Sequence, residues 1–400
     1  MSSTMLPSVP APDDGGALSA LRRLDWWLVV SVVLLLGFGA LMILSASSLY
    51  ADAKFGDALR FVTRQSFGMI AGVGMLAGIL LLPWSWLRRG AVPAYVIGIV
   101  GLVLVFTPLG HSAYAATRWI SLGPVNVQPS EFAKIALVLV MASYLSANEG
   151  RLGDVLGVGV PALLIPVPMI VLLMLEPDFG TTVITVALCG VMLFVAGLHW
   201  GWLASLSVLA AGGLSIMAAA KTYRVRRMLS FMDPFQDASG DGHQVVQGWI
   251  AMASGGWFGQ GIASGVAQRG NLPEAHTDFI SAVVGEELGA VGWIVLIGLY
   301  LVLVWRGFGI AARSRSLFGT LVAAAITTLL ASQAIINLGV VVGWMPAKGL
   351  VLPFMSYGAS AVLAHLICIG LLLRVSMQTE LEADGADPPG PSPEYGGVHQ

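Results

Sequence analysis

Long uninterrupted runs of apolar residues dominate the pattern of this chain. Ten of these runs are long enough to cross the hydrocarbon core of a bilayer as a helix, which takes roughly 17–25 residues. They cover residues 26–47, 62–82, 91–109, 130–147, 155–175, 180–198, 202–220, 279–305, 317–343 and 359–376. A membrane-spanning strand would alternate apolar and polar positions instead, so continuous runs exclude spanning strands. The pattern predicts an all-α integral membrane protein with about ten transmembrane helices.

Three polar segments flank or interrupt these runs. Residues 1–24 are polar, and residues 379–400 are acidic and rich in Pro and Gly, a composition typical of disordered tails. Residues 25–378 then form one membrane domain. Its longest polar connection, residues 221–278, interleaves apolar and polar residues at 243–258, which predicts a short amphipathic helix at the membrane surface.

The composition supports a membrane location and excludes several functions. Hydrophobic residues make up 56% of the 400 residues and charged residues 10%, whereas soluble proteins carry about 25% charged residues. The net charge of −2 gives no general attraction to nucleic acid. Cys189 and Cys368 lie in separate apolar runs without metal-ligand spacing, so neither a disulfide framework nor a metal site is indicated.

The distribution of basic residues predicts the orientation. Ten crossings place both termini on one side, and cytoplasmic termini put nine Arg residues inside against five Lys and Arg residues in the short outer loops. This bias agrees with the positive-inside rule. The large loop nevertheless adds five outer cations, which are Lys221, Arg224, Arg226, Arg227 and Arg269. Two explanations stay open: an anionic ligand at the outer surface, or long cationic side chains that extend to the lipid headgroups.

The segment NLPEAHTDFISAVVGEELG at residues 271–289 is the most polar stretch next to a predicted span. His276 and Asp278 directly precede the apolar run, and Glu286 and Glu287 interrupt its start. Helix capping explains one of these carboxylates. Several ionisable groups at the end of a membrane helix are costly, which favours a functional site here.

Other polar insertions fall at the same predicted outer ends of the spans. The side chains that would meet Asp278 there are Arg118, Glu131, Lys134, Glu176, Asp178, Lys348, Ser356 and Tyr357. Each has a simpler interpretation, such as an interfacial anchor at Arg118-Trp119 or an i,i+3 ion pair between Glu131 and Lys134. Their convergence, rather than any single motif, locates the working face outside.

Five polar segments carry a more specific pattern. They are TRWISLGPVNVQPSEFAK (117–134), EPDFGTT (176–182), GHQVVQGWIAMASGGWFGQG (242–261), LPEAHTDFISAVVGEELG (272–289) and PAKGLVLPFMSYGAS (346–360). In this order and spacing they resemble the SEDS family (shape, elongation, division and sporulation) of membrane glycosyltransferases. The resemblance covers about residues 25–376, and its motifs are more similar to division-type than to elongation-type members.

The resemblance implies polymerisation of lipid II, the undecaprenyl-diphosphate-linked disaccharide pentapeptide, at the outer face of the bacterial cytoplasmic (inner) membrane. The essential Asp of the family corresponds to Asp278, its conserved Arg and Trp to Arg118 and Trp119, and its KGL lysine to Lys348. It also implies a partner, a class B penicillin-binding protein with transpeptidase activity, together with other divisome proteins at the division septum.

The chemistry of this reaction fits the residue types. Asp278 is predicted to take the proton of the attacking sugar hydroxyl as general base. Cations neutralise the leaving diphosphate, so no second carboxylate is needed as an acid. The predicted substrate-binding residues are Arg118, Trp119, Lys348, Arg224, Arg226, Arg227, Glu131, Lys134, His276 and Ser356. No ligand spacing demands a metal, and participation of Mg²⁺ or Mn²⁺ stays open.

Three other functions compete with a division-type polymerase. An elongation-type polymerase would share the chemistry. A flippase for the lipid-linked precursor would favour ionisable groups near the bilayer midplane, where His365 is the main candidate in the last run. A scaffold without enzymatic activity would not require Asp278 and its cations.

We expect reversal of the charges at Arg226 and Arg227 to glutamate to weaken substrate binding more than turnover, because these cations would hold the diphosphate. The measurement is the KM for lipid II in a polymerisation assay. If only the protein yield changed, the interaction with lipid headgroups would explain the two arginines.

Overall fold

The computed structural model describes residues 23–113, 116–122, 125–198, 200–219, 234–235, 242–265, 272, 275–346 and 349–384. Its α-helices, numbered α1 to α13 in chain order, are Trp26–Phe55, Arg60–Leu81, Trp84–Arg89, Ala91–Leu104, Pro129–Ala147, Val160–Leu164, Val167–Leu175, Phe179–Val195, Trp200–Ala219, His243–Gly255, Ile280–Arg313, Leu317–Val341 and Ala359–Asp384. Three strands, β1 to β3, are Gly110–Ala113, Ala116–Leu122 and Val125–Val127.

The predicted helical membrane fold is confirmed. Seven helical segments in the described part of the chain are long and apolar enough to cross a membrane, and two shorter apolar helices, α4 and α8, accompany them. Each of the ten predicted runs coincides with a helical segment, and α9 corresponds to the seventh. The number of crossings remains a prediction.

Several helix boundaries differ from the predicted ones for local reasons. Helix α4 ends at Leu104, five residues before the predicted end at 109, because Pro108 disfavours a helical conformation at the residue before it. Residues 155–175 are helical but irregular: a π-helical turn at Val155–Gly159 precedes α6, and residues 165–166 separate α6 from α7. At the other end of the chain, α13 continues to Asp384, so the predicted C-terminal tail begins with six helical residues, 379–384.

A small antiparallel sheet between α4 and α5 was not predicted. Strand β2 lies between β1 and β3. The hydroxyl of Ser360, at the start of α13, donates to the carbonyl of Asn126 at 2.7 Å and accepts from the backbone N–H of Gln128 at 3.3 Å. The sheet is therefore fixed to the end of the bundle where α13 begins.

The predicted amphipathic helix is present as α10, with Val245, Val246 and Ala251 buried. It packs against the start of α11, which is not one continuous helix. Gly289 has φ 65° and ψ −160°, values that a non-glycine residue rarely adopts, and divides α11 into a short outer part and a long part. The long part, from Ala290 to Arg313, suffices to span a bilayer.

The glycine-rich turn after α10 satisfies the backbone groups that this break exposes. The N–H groups of Gln260 and Gly261 donate to the carbonyls of Glu286 and Glu287 at 2.9 and 3.0 Å. In return, the N–H groups of Ala290 and Val291 donate to the carbonyls of Gly256 and Trp257 at 3.0 and 3.1 Å. We call these four bonds the backbone interlock. They compensate for the hydrogen bonds that the helix loses at its break.

Two polar contacts join α1 to α11. In the second half of α1, the hydroxyl of Ser45 donates to the buried carboxylate of Glu287 at 2.6 Å. At the start of α1, Asp25 caps the helix by accepting from the N–H of Leu28 at 3.2 Å. The same carboxylate accepts two hydrogen bonds from Arg306, whose Nε lies 2.9 Å from Oδ2.

We expect Gly259→Ala to destabilise the protein, because a Cβ at this position would overlap the carbonyl of Glu287 inside the backbone interlock. Gly259 also has φ 78°, so any side chain adds backbone strain of about 1–3 kcal/mol. The measurement is the apparent melting temperature in detergent.

Gly74→Ala on the exposed face of α2 is the control, since a Cβ there meets no atom within 4 Å. Equal melting temperatures for the two variants would show that the backbone interlock does not limit stability.

Candidate functional site

The turn that carries Asp278 is held by its own backbone carbonyls. The carbonyl of His276 accepts from the N–H of Tyr357 at 2.9 Å, and that of Thr277 accepts from the hydroxyl of Ser356 at 2.6 Å. The carbonyl of Asp278 accepts from the side-chain amide of Asn337 at 2.9 Å. Three consecutive anchors hold the backbone from which the Asp278 side chain projects.

The half-buried carboxylate of Asp278 lies against the segment that precedes α13. A Cβ built on Gly349 would lie 3.2 Å from its Oδ2 atom, so only glycine lets this backbone approach the carboxylate without strain. Lys348, the predicted phosphate ligand, immediately precedes Gly349 in the sequence. Lys348 itself lies outside the described residues, as do Arg224, Arg226 and Arg227.

Ser356, predicted as a substrate ligand, supports the turn. Its side chain is buried, and its hydroxyl also accepts from the N–H of Leu352 at 2.8 Å. Gln65, on α2, extends this support: its amide donates to the carbonyl of Ser356 at 3.3 Å and accepts from the N–H of Gly358 at 3.0 Å. Both hydrogen bonds of the Ser356 hydroxyl are therefore made to backbone groups of the protein itself.

His276, at the start of this turn, belongs to an aromatic cluster. Its ring centroid lies 4.6 Å from Phe61, 5.9 Å from Tyr357 and 6.0 Å from Tyr50. These rings come from the end of α1, the start of α2 and the segment before α13. The cluster fastens the turn to the outer ends of α1 and α2.

Arg118 lies on β2 and contacts the connection between α7 and α8. Its Nη2 donates to the carbonyl of Pro177 at 2.7 Å, and its Nη1 lies 3.9 Å from the carboxylate of Asp178. Asp178 also caps α8 by accepting from the N–H of Thr181 at 3.2 Å. The side chain of Arg118 is 21% exposed. Trp119, the next residue on β2, is half-buried.

Leu350 connects this charged group with the Asp278 turn. A Cβ built on Gly180, in the first turn of α8, would lie 3.5 Å from the side chain of Leu350. The carbonyl of Leu350 accepts from the same amide of Asn337 that holds Asp278, at 2.8 Å. The predicted convergence of the α7–α8 connection with Asp278 thus has a direct structural path.

Glu131 and Lys134 lie deeper than the predicted substrate site. Their side chains form an ion pair of 2.8 Å, and Lys134 has no exposed surface. Close to this pair in the interior, His365 on α13 makes a 3.1 Å hydrogen bond with Gln333 on α12. The predicted i,i+3 pair is therefore present, and it shapes the bundle from within.

Sequence reasoning missed Asn337 and Gln65, two buried amides that hold the site together. The signal was present, because an amide within an otherwise apolar run is costly unless it finds partners. Among the described residues, no group of three or more His, Cys, Asp or Glu side chains could hold a metal ion.

Comparison with known proteins gives consistent matches over almost the whole chain. A family model for the FtsW, RodA and SpoVE proteins, described as cell cycle protein, matches residues 26–381. The probable peptidoglycan glycosyltransferase FtsW of Geobacter sp. (strain M18) is 38% identical over 361 residues, which are 89% of this chain and 98% of that protein.

Two solved structures share the fold. A chain of a structure that describes the coordination of polymerization and crosslinking by a peptidoglycan synthase complex gives a TM-score of 0.74 at 30% identity, covering 89% of this chain and 98% of that chain. The rod shape determining protein RodA of Thermus thermophilus gives a TM-score of 0.67 at 29% identity, covering 89% of this chain and 97% of that one.

Glu176, in the connection between α7 and α8, is the most perturbed carboxyl of the site. It is buried, and neither of its carboxylate oxygens has a hydrogen-bond partner among the described residues. Burial, followed by repulsion from Asp178, raises its pKa to about 8, against the opposing effect of Arg118. Glu176 is therefore mostly protonated at neutral pH.

We expect the stability of the protein to fall as the pH rises from about 5 to about 8, because the unfolded chain ionises Glu176 near its ordinary pKa while the fold keeps it protonated up to about pH 8. Glu176→Gln should remove this part of the pH dependence and be the more stable form at pH 8. Melting temperatures in detergent at several pH values measure both effects.

The exposed carboxyl of Glu149 gives the matched control, Glu149→Gln, which should keep the pH dependence of the wild type. A Glu176→Gln variant with the same pH dependence as the wild type would contradict the prediction.

Proposed function

Because the chain belongs to the FtsW/RodA/SpoVE family of cell cycle proteins, we infer that it is a peptidoglycan glycosyltransferase. It is a multi-pass membrane enzyme with a RodA-like fold. Its proposed substrate is lipid II, which it joins into glycan strands at the outer face of the bacterial inner membrane. The proposed site of action is the division septum, with both termini in the cytoplasm.

The anchored Asp278 turn is the observation that carries the proposed mechanism. A general base must be positioned before the reaction, and three hydrogen bonds to consecutive carbonyls hold this backbone. In the proposed step, the oxygen of an acceptor sugar hydroxyl attacks the anomeric carbon of the donor. The hydroxyl proton moves to the Asp278 carboxylate, and the bond between the anomeric carbon and the diphosphate oxygen breaks.

Cations are proposed to stabilise the leaving diphosphate. Arg118 supports this role, since its partly exposed guanidinium is fixed on the α7–α8 connection beside Leu350. Lys348 is proposed to act from the segment next to Gly349, and Arg224, Arg226 and Arg227 from the large loop. Such groups lower the barrier by neutralising charge that develops in the transition state.

The remaining predicted site residues are proposed to shape the site. His276 and Ser356 hold the turn through the aromatic cluster and the Thr277 carbonyl. Trp119 is proposed to contact the substrate from β2, next to Arg118. The Glu131–Lys134 pair fixes α5 in the interior, where its buried charges compensate each other. The same polymerisation assay, run with and without Mg²⁺ or Mn²⁺, tests whether the reaction requires a divalent cation.

A transpeptidase partner is proposed on the basis of the peptidoglycan synthase complex among the similar structures. By chemistry it would be a class B penicillin-binding protein of the FtsI type, which crosslinks the strands that this chain makes, and other divisome proteins would join it. The proposed unit thus couples polymerisation to crosslinking.

A flippase is the second candidate, because the interior contains ionisable groups. Glu131, Lys134 and His365 are all buried within α5 and α13, and such groups can mark a transport path. The same purified protein separates the two activities: polymer formation from lipid II reports the transferase, and movement of lipid II across vesicles reports the flippase.

We expect Asp278→Asn to lower the polymerisation rate by at least about 100-fold, because the amide keeps the shape of the side chain but cannot take the proton. The measurement is glycan polymer formation from lipid II by the purified protein, with and without its transpeptidase partner.

The control is Asp52→Asn, which neutralises an exposed carboxylate near the end of α1 and should leave the rate unchanged. Near-normal turnover by a folded Asp278→Asn protein would remove Asp278 from the role of base. Transport of lipid II without polymer from the wild type would favour the flippase.

A further inference from the structure

We propose that Asn337, on α12, is a positioning residue that sets the place of Asp278 during glycosyl transfer. This inference rests on the proposed function of Asp278 as general base. The side chain of Asn337 is 2% exposed, so it acts from the interior of the protein and not by touching solvent.

The amide of Asn337 joins two separate parts of the site. Its Nδ2 atom donates to the carbonyl of Asp278 at 2.9 Å and to the carbonyl of Leu350 at 2.8 Å. An amide nitrogen carries two hydrogens, so these two bonds use its full donor capacity. One side chain thereby connects the turn before α11 to the segment before α13.

The orientation of this amide is determined by its surroundings. Its Oδ1 atom is buried and has no hydrogen-bond partner among the described residues. Rotating the amide by half a turn would place this oxygen against two carbonyl oxygens, which repel it. An unpartnered buried acceptor lowers stability, because it has lost its hydrogen bonds to water. A side chain kept only for stability would avoid this cost, so the double donation is the feature that explains an asparagine here.

The two segments that Asn337 joins meet at the carboxylate of Asp278. One of them is the turn of Asp278 itself, and the other begins at Gly349, whose backbone approaches the Oδ2 atom. The proposed phosphate ligand Lys348 directly precedes Gly349 in the chain. Asn337 therefore fixes the distance between the proposed base and the segment that follows the proposed cation.

Loss of this connection should affect the chemical step more than substrate binding. Displacement of a catalytic group by about 1 Å can lower a rate about 100-fold. Arg118, one of the groups proposed to bind the diphosphate, bonds to the α7–α8 connection, whereas the described hydrogen bonds of Asn337 go to Asp278 and Leu350. We therefore expect kcat to fall by a larger factor than the KM for lipid II rises, since Asn337 is linked to the proposed diphosphate site only indirectly, through Leu350 and through Lys348, two residues before it.

The first test compares Asn337→Ala and Asn337→Asp with the wild-type full-length protein, using lipid II and the transpeptidase partner. Both variants should lower kcat by about 10- to 100-fold, because alanine removes both donors and aspartate replaces them with an acceptor. Thr327→Val is the control on the same helix: the Thr327 hydroxyl is buried and donates only to the carbonyl of Ala323 within α12. Its kcat should match the wild type.

The second test uses the Asp278→Asn background. If Asn337 acts only through Asp278, Asn337→Ala should have no further effect on the residual rate of the Asp278→Asn protein. Equal fold-losses in both backgrounds would show that Asn337 supports the fold in general and would overturn the proposal. Unchanged kcat in a folded Asn337→Ala protein would overturn it as well.

A third variant reaches the same carboxylate from the opposite side if the Asn337 variants do not fold. Gly349→Ala leaves Asn337 intact and places a Cβ 3.2 Å from the Asp278 Oδ2 atom. It should lower kcat by a larger factor than it changes the KM for lipid II, and a normal kcat would contradict the required placement of the carboxylate. Failure of the wild type to polymerise lipid II would instead refute the proposed function, which separates the two outcomes.

Discussion

Every backbone N–H and C=O group at membrane depth must find a partner inside the protein, because the lipid offers none. The architecture around the proposed active site depends on this requirement. Helix α11 breaks at Gly289, and the turn after α10 supplies the donors and acceptors that the break leaves exposed. Asp278, directly before α11, therefore lies on a backbone whose carbonyls are bonded to neighbouring segments.

A few buried polar side chains fix the geometry of the site within a largely apolar helix bundle. Ser45, Gln65, Asn337 and Ser356 each bond to a group on a distant part of the chain. With apolar packing alone, helices in lipid can slide or rotate against each other at little cost in free energy. Hydrogen bonds between them form in only one relative position of the helices. The placement of Asp278 and Leu350 relative to each other follows from the bonds that Asn337 makes to both.

The sequence predicts the parts of this structure that depend on local pattern. Continuous apolar runs indicate the helices, and the interleaved segment 243–258 indicates α10. The sheet at Gly110–Val127 and the pairing of Gly256–Gly261 with Glu286–Val291 are bonds between distant residues, which no local period encodes. Ser356, Glu131 and Lys134 are buried and bond within the protein, and their predicted roles toward substrate stay predictions. The role of Asn337 is not apparent from the sequence, because this residue lies within an apolar run and away from the polar segments.

The two polar contacts between α1 and α11 have a mechanical consequence. Asp25 and Ser45 are twenty residues apart on α1, which corresponds to about 30 Å along a helix and to the thickness of the hydrocarbon core. Ser45 bonds to the short part of α11 before Gly289 and Asp25 to the long part after it, so α1 bridges the break and holds the two parts of α11 in one relative position. A movement of the short part, which begins just after Asp278, would therefore have to break the contact between Ser45 and Glu287.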